Sequence, residues 1–193
     1  MTTAILNVAP SGEPVSLAEA KAYLKVEYDE EDQLIQSLIT AARAHLELAT
    51  RRAFITQSWS LFLDRWPRSG MVNLPLSPVG SVDALRVYDP QDSVSVVAAS
   101  EYGVDVQSQP PRVVRSGHGE WRHSLRSLNG IEIAFTAGFG PKAEDIPAPL
   151  RQAILLLVAH WFENRQPLII DGDCVEMPLT VKALIAPYRM VSL

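Results

Sequence analysis

Cysteine is almost missing from this 193-residue chain, which holds only Cys174. A single thiol excludes an internal disulfide and any site built from several thiolates. It also removes the stapled secreted miniprotein from consideration, so a reducing compartment is the expectation. Positive charge is in deficit as well: 17 Lys+Arg stand against 22 Asp+Glu, a formal net charge of −5. That balance supplies no basic face for wrapping nucleic acid. Long apolar runs are missing too. The longest, Ala153 to Ala159, is far short of the roughly 18 residues that suggest a membrane span. The opening MTTAILNVAP has no basic stretch and no long apolar core, so no signal peptide is expected. What remains is a chain 47% hydrophobic and 20% charged. Its size and composition predict a soluble, mildly acidic, intracellular globular protein of one domain, or one domain with an insertion.

Helical signals occupy the two ends. Ser16 followed by Glu19 is a capping box, in which hydroxyl and carboxylate each satisfy an orphan backbone donor. A short helix with Leu17, Ala20 and Leu24 on one face should follow and stop near Val26. The acidic run Asp29-Glu30-Glu31-Asp32 suits a helix N-terminus. Behind it, Leu34, Ile35, Leu38, Ile39, Ala42, Leu46 and Ala49 recur at helical spacing, predicting a long amphipathic helix over roughly 30–50. Arg51 and Arg52 close it as cations should, and contact with phosphate is the other reading of that pair. Near the other end, prolines 147 and 149 fit the first turn of a helix. Leu150 to Phe162 is apolar on nearly every face, which predicts burial all round or an oligomer contact on the second side. A last short helix begins near Pro178 and is stopped by Pro187.

Between these ends the period changes to alternation. In Ile55 to Leu63, Ile55, Trp59, Leu61 and Leu63 point one way, with Thr56, Ser58 and Ser60 opposed. Further strands are expected at 71–74, 84–88, 94–98, 102–106, 112–114 and 130–137, punctuated by Pro, Gly, Asp and Ser. The expected fold class is α+β: a small helical bundle built from N- and C-terminal segments, with an inserted antiparallel β-meander. In residue terms, 1–53 and 147–193 form the helical core domain, 54–146 the inserted β-rich region, and 186–193 a C-terminal tail.

Catalytic patterns are sparse. No G-x-x-x-x-G-K-[ST] phosphate loop and no G-x-S-x-G elbow occurs. Gly138-Phe139-Gly140-Pro141-Lys142 reads as a strand-ending turn, because its proline removes a donor that a phosphate cradle needs and no helix is expected at its lysine. His118, Glu120 and His123 have metal-ligand chemistry but lack helical spacing, and an exposed loop is the plainer reading. Asp171, Asp173 and Glu176 flank Cys174 without a cation-loop pattern, and their acidity argues against a reactive thiolate. His160 is expected to be a hydrogen-bonded histidine at a buried or interface position, and the four tryptophans to be packing residues. No catalytic or metal residue is therefore assigned.

The order of segments resembles the head–tail connector, or adaptor, proteins of long-tailed phages and gene transfer agents. The resemblance rests on Leu17 to Leu24, the acidic run at 29–32, Ile55-Thr56-Gln57-Ser58-Trp59, and Ala137-Gly138-Phe139-Gly140. It rests further on Ile146 to Arg165 and on Ala183-Leu184-Ile185-Ala186-Pro187-Tyr188-Arg189. It spans almost the whole chain and is weakest over 64–129. It implies a structural protein of the virion neck, assembled in the host cytoplasm, without cofactor or membrane. Its partners would be the portal protein and stopper or tail proteins, in a homo-oligomeric ring of about twelve copies through which DNA passes without tight binding. The resemblance implies that the C-terminal tail docks on the portal, and Leu184, Ile185, Pro187, Tyr188, Arg189 and Met190 are the expected contacts. His160, Trp161 and Phe162 are the expected ring contacts. The alternatives are a stopper or tail-terminator protein and, from another class, a metal-dependent phage nuclease using the two loop histidines.

Overall fold

The computed structural model describes residues 2–116, 124–164 and 177–190. Their contacts divide them into two compact units. A helical unit comprises 12–55, 140–164 and 177–189, and a sheet unit comprises 2–11, 56–116, 124–139 and Met190.

The helical unit contains α1 (Leu17–Leu24), α2 (Asp32–Thr50), α3 (Ala148–Glu163) and α4 (Leu179–Ile185). The capping box starts α1. Ser16 Oγ accepts from the Glu19 N–H at 3.2 Å, and the Glu19 carboxylate accepts from the Ser16 N–H at 2.9 Å. Lys25 ends α1 in the left-handed conformation, φ 58°, and its N–H returns to carbonyls of the last turn. Lys21 then reaches past the helix end to bind both Asp29 and Asp32 at 2.6 Å. The α2 stripe Ile35, Ile39, Ala42 and Leu46 is buried, and Arg51 caps the helix at φ 55°. In α3, Leu150, Ala153, Ile154, Leu157 and Val158 form the buried stripe at i, i+3, i+4, i+7 and i+8. That helix packs against α1, α2 and α4. Each fully buried Leu or Ile here contributes about 1.5–3 kcal/mol of transfer free energy.

Strands β1 (Thr2–Val8), β2 (Gln57–Leu63), β3 (Met71–Asn73), β4 (Val79–Tyr88), β5 (Val94–Val96), β6 (Tyr102–Asp105), β7 (Arg112–Arg115) and β8 (Ile131–Ala137) build the sheet unit. They form two antiparallel sheets, of order β1-β2-β8-β4-β5 and β3-β7-β6. β8 is central. Its Ile131, Ile133, Phe135 and Ala137 lie opposite Leu63, Leu61, Trp59 and Gln57 of β2. On its other side, Leu85 and Val87 of β4 face Ile133 and Ile131. This face is the apolar one, and Leu61, Leu85, Ile131, Ile133 and Phe135 are buried in it.

The expected helical bundle carrying an inserted meander is corrected by these observations. The described residues form a mixed α+β protein with four helices and two antiparallel sheets. The sheet is not an insertion, because its edge strand β1 precedes every helix in the chain. Nor is it a meander, since β8 runs between β2 and β4, and β3, β6 and β7 leave to form a second sheet. The physical reason lies in β1. All seven of its residues are exposed, so the segment shows no alternation to read, and pairing with β2 alone makes it a strand. The last helix also differs in detail. It ends at Ile185, and Pro187 sits within a following 3-10 turn, Ala186–Tyr188.

Candidate functional site

The C-terminal segment has an inward and an outward row. Val181, Ile185 and Met190 are buried. Leu184 and Tyr188 are half-buried, and Pro187 and Arg189 are exposed. The 3-10 turn is anchored from α2's end, where Arg52 Nε donates to the Tyr188 carbonyl at 2.5 Å. Arg52 is only 8% exposed, and burial holds its guanidinium below the usual arginine range. Of the arginine pair that follows α2, one therefore binds a backbone carbonyl of this same segment. Of the residues named from the sequence, Ile185 is buried and Pro187 and Arg189 are exposed in the helical unit, and Met190 is buried as part of the sheet unit.

On α3, His160, Trp161 and Phe162 are all half-buried, as are Leu155, Leu156 and Ala159. The ring of Trp161 meets His45 of α2 edge-on, with centroids 5.9 Å apart. Asn164 ends the helix by donating its side-chain amide and its N–H to the His160 carbonyl, at 2.8 and 3.1 Å. His160 Nε2 is buried with no hydrogen-bond partner among the described residues. The all-round apolar sequence of α3 resolves into one fully buried stripe and a second side left partly open.

The polar groups are joined to one another. Glu132 of β8 accepts from Ser60 Oγ (2.8 Å), Arg86 Nη1 (3.1 Å) and the Tyr88 hydroxyl (2.6 Å). Asn7 extends the row by donating to Ser60 at 2.8 Å, so β1, β2, β8 and β4 are tied on the face opposite the apolar one. The hydrogen bond to Glu132, aided by burial, pushes the Tyr88 phenol up from its ordinary value. Arg126 lies over the Tyr88 ring, 4.2 Å from its centroid. At the end of β8, a Cβ on Gly140 would collide with the Asp145 side chain. The Asp145 carboxylate accepts from the Lys142 N–H at 2.9 Å. A 3-10 turn, Ala143–Asp145, does begin after that lysine, contrary to the sequence expectation. The turn's own carboxylate takes the place an anion would need, so the loop is not a phosphate cradle. In the helical unit, Arg43 joins Glu13 at 2.7 Å and Glu47 at 2.8 Å. Arg151 binds the Pro14 carbonyl at 3.0 Å and the Glu19 carboxylate of the capping box.

Sequence reasoning missed the Glu132 row and the Arg151–Glu19 tie. A glutamate between Ile131 and Ile133 was the available signal for the first; the partners of both lie too far along the chain to be read. The loop candidates His118, Glu120 and His123, and Asp171, Asp173, Cys174 and Glu176, lie outside the described residues. Among the described residues no group of three or more His, Cys, Asp or Glu is placed to hold a metal ion. No described helix is long and apolar enough to cross a membrane. The ionisable side chains named above tie strands and helix ends into a scaffold within each unit.

The comparisons give that scaffold a family. The model of the phage gp6-like head–tail connector proteins matches residues 14–108. Similar solved structures include a chain in the neck of an empty GTA particle computed with C6 symmetry, 31% identical with a TM-score of 0.83. Another is a chain in the virion of a native gene transfer agent particle, 31% identical with a TM-score of 0.82. Both alignments cover 99% of this chain and 97% of the other. A third, from the neck of a native GTA particle computed with C12 symmetry, is 32% identical with a TM-score of 0.74 and coverages of 98% and 97%. No curated protein sequence matches the chain. The chain belongs to the phage gp6-like head–tail connector family, and its role is that of a structural connector between head and tail.

Proposed function

We propose that copies of this chain form a ring of about twelve in the particle neck, docked on the portal by the C-terminal segment and open to passing DNA. The observation that carries the reading is likeness over nearly the full length to chains of necks solved with C6 and C12 symmetry. The work is mechanical, without a catalytic step. The second side of α3, with His160, Trp161 and Phe162, supports a packed neighbour in the ring. A net charge of −5 per copy favours a duct that repels phosphate over one that grips it.

Portal docking falls to the exposed Pro187 and Arg189 and the half-buried Tyr188, with Tyr188 and Arg189 as anchors, since aromatic and arginine side chains are enriched among interface hot spots. Ile185 and Met190 are buried. Deleting the tail would strip those buried contacts, so side-chain changes are the cleaner test. The double variant Tyr188→Ala, Arg189→Glu is expected to stay folded, with a small drop in melting temperature from the half-buried ring, and to lose co-purification with the portal. Heads carrying it should fill with DNA and fail to join tails in electron micrographs. A variant that binds portal and yields tailed particles at wild-type levels overturns the assignment.

A further inference from the structure

Strand β1 is an unprotected sheet edge. One side pairs with β2 from Thr2↔Leu63 to Val8↔Ser58; among the described residues no strand pairs with the other. Alternate residues of an antiparallel edge strand point their N–H and C=O outward, a template for another chain. Proteins normally blunt such edges by shortness, charge or proline. The other sheet edges among the described residues follow that rule: β5 and β3 have three residues each and β6 has four. With seven residues, β1 does not, and it contains neither charge nor proline. No charged side chain occurs before Glu13. Its apolar side chains are open on both faces. Ile5, on the face of Ser60, is 49% exposed, and Leu6, on the face of Trp59, is 41% exposed. Val8 beyond the bulge is 60% exposed.

We propose that the free edge of β1 is an inter-subunit contact, covered in the assembled ring by an extended, uncharged segment of the neighbouring copy of this chain. The inference rests on the ring reading above and deepens it. A ring has a head-to-tail interface, in which each copy offers two unlike patches. The open edge supplies one such patch, distinct from the second side of α3. The ring brings a neighbour of the same chain to every copy, and the chemistry of the strand disfavours DNA. Phosphate would call for cations, and this strand has none; an unblunted edge is safe only where assembly covers it in every copy. The backbone of the neighbour satisfies the outward N–H and C=O groups, while Ile5 and Leu6 lose their exposed area.

A photo-crosslinking amino acid, p-benzoylphenylalanine, placed at Ile5 tests this in purified particles. Irradiation is expected to give a band at twice the subunit mass, and peptide mass spectrometry should join residue 5 to a second copy of the same chain. The double variant Ile5→Lys, Leu6→Lys, at half-exposed positions where a lysine stem can lie along the sheet with its ammonium in water, should remain folded as free protein and reduce neck incorporation at least tenfold. Crosslinks running only to other neck proteins, or no crosslink in particles that contain the chain, overturn the inference and leave the ring reading standing. Wild-type incorporation of the lysine variant overturns it as well. Absence of the chain from purified necks overturns the ring reading and this inference together. Should the lysine variant fold poorly, the crosslink decides alone.

Discussion

All the lysines of the chain lie in the segments that supply the helical unit, 12–55 and 140–189, where 10 basic residues face 14 acidic ones. The remaining segments, which supply the sheet unit, hold seven arginines and no lysine against eight acids. Three of those arginines tie the sheet unit to carboxylates. Arg86 binds Glu132, Arg112 binds Asp105, and Arg126 binds Asp92 while covering Tyr88. Much of the helical charge works locally, as in the Ser16–Glu19 capping box, the Arg43–Glu47 pair one turn apart, and Lys21 bridging to the start of α2. The difference teaches where each unit is vulnerable. The two ends of α1 are secured largely by neighbours in sequence, whereas the polar face of the sheet depends on one carboxylate that three strands share, with β1 joined through Ser60.

The largest effects should come from the two cores. Phe135 is wholly buried at the centre of the sheet, and Phe135→Ala should cost about 3–5 kcal/mol in denaturant titration. Leu150→Ala in α3 should cost about 2–5 kcal/mol. Hydrogen exchange sharpens the contrast, because each change should release amides of its own unit first. Equal loosening of β8 and α2 by Phe135→Ala would break the comparison.

Next comes the shared carboxylate. Glu132→Ala leaves the Tyr88 hydroxyl, Ser60 hydroxyl and Arg86 guanidinium without their acceptor and should cost about 2–3 kcal/mol in urea unfolding. Arg86→Ala removes the more exposed partner and should cost less than half as much. If the two variants prove equally mild, the carboxylate is not the organising group of that face.

A smaller loss, about 1 kcal/mol, is expected for Ser16→Ala, which deletes the capping hydroxyl of α1. Amides of α1 should exchange faster while those of β8 stay protected.

The smallest effect concerns acid. Hydrogen bonds from the Ser108 hydroxyl and N–H, with Arg112, hold Asp105 at about 2, below its ordinary 3.8. A carboxyl depressed by folding stabilises the native state above its ordinary value and ceases to as pH falls through its folded value. The stability Asp105 provides should therefore be whole above pH 3.8 and disappear as pH falls towards about 2. Asp105→Asn should be slightly less stable at pH 7 and show a flatter acid limb in melts. An unchanged acid limb would remove the turn at 105–112 from the list of sheet-unit locks.

Legibility in the sequence followed the range of the interactions. The capping box of α1 and the buried stripes of α2 and α3 were readable because caps and 3.6-residue periodicity are local. β2 and β8 announced themselves by alternation. β1 was hidden, since an edge strand open on both faces has no reason to alternate. The candidate docking segment was legible as a set of residues, Leu184 to Met190, but its inward and outward rows were not. The sequence shows Ile185, Tyr188 and Met190 alike as apolar or aromatic; only the packed chain buries the first and last.

Composition and periodicity by themselves determined the mildly acidic, disulfide-free character of the chain, the four described helices with the capping box of α1, and most of the strands. Those properties depend on each residue and its near neighbours, which share a turn of helix or the pleat of one strand. Tertiary structure decided the rest. It placed β8 between β2 and β4, brought residues 2–8 to the sheet edge, gathered Asn7, Ser60, Glu132 and Tyr88 into one row, and set Arg52 beneath Tyr188. Each of those contacts joins residues dozens of positions apart. Such pairings become favourable only when the intervening chain has folded and the closed loop is repaid by burial.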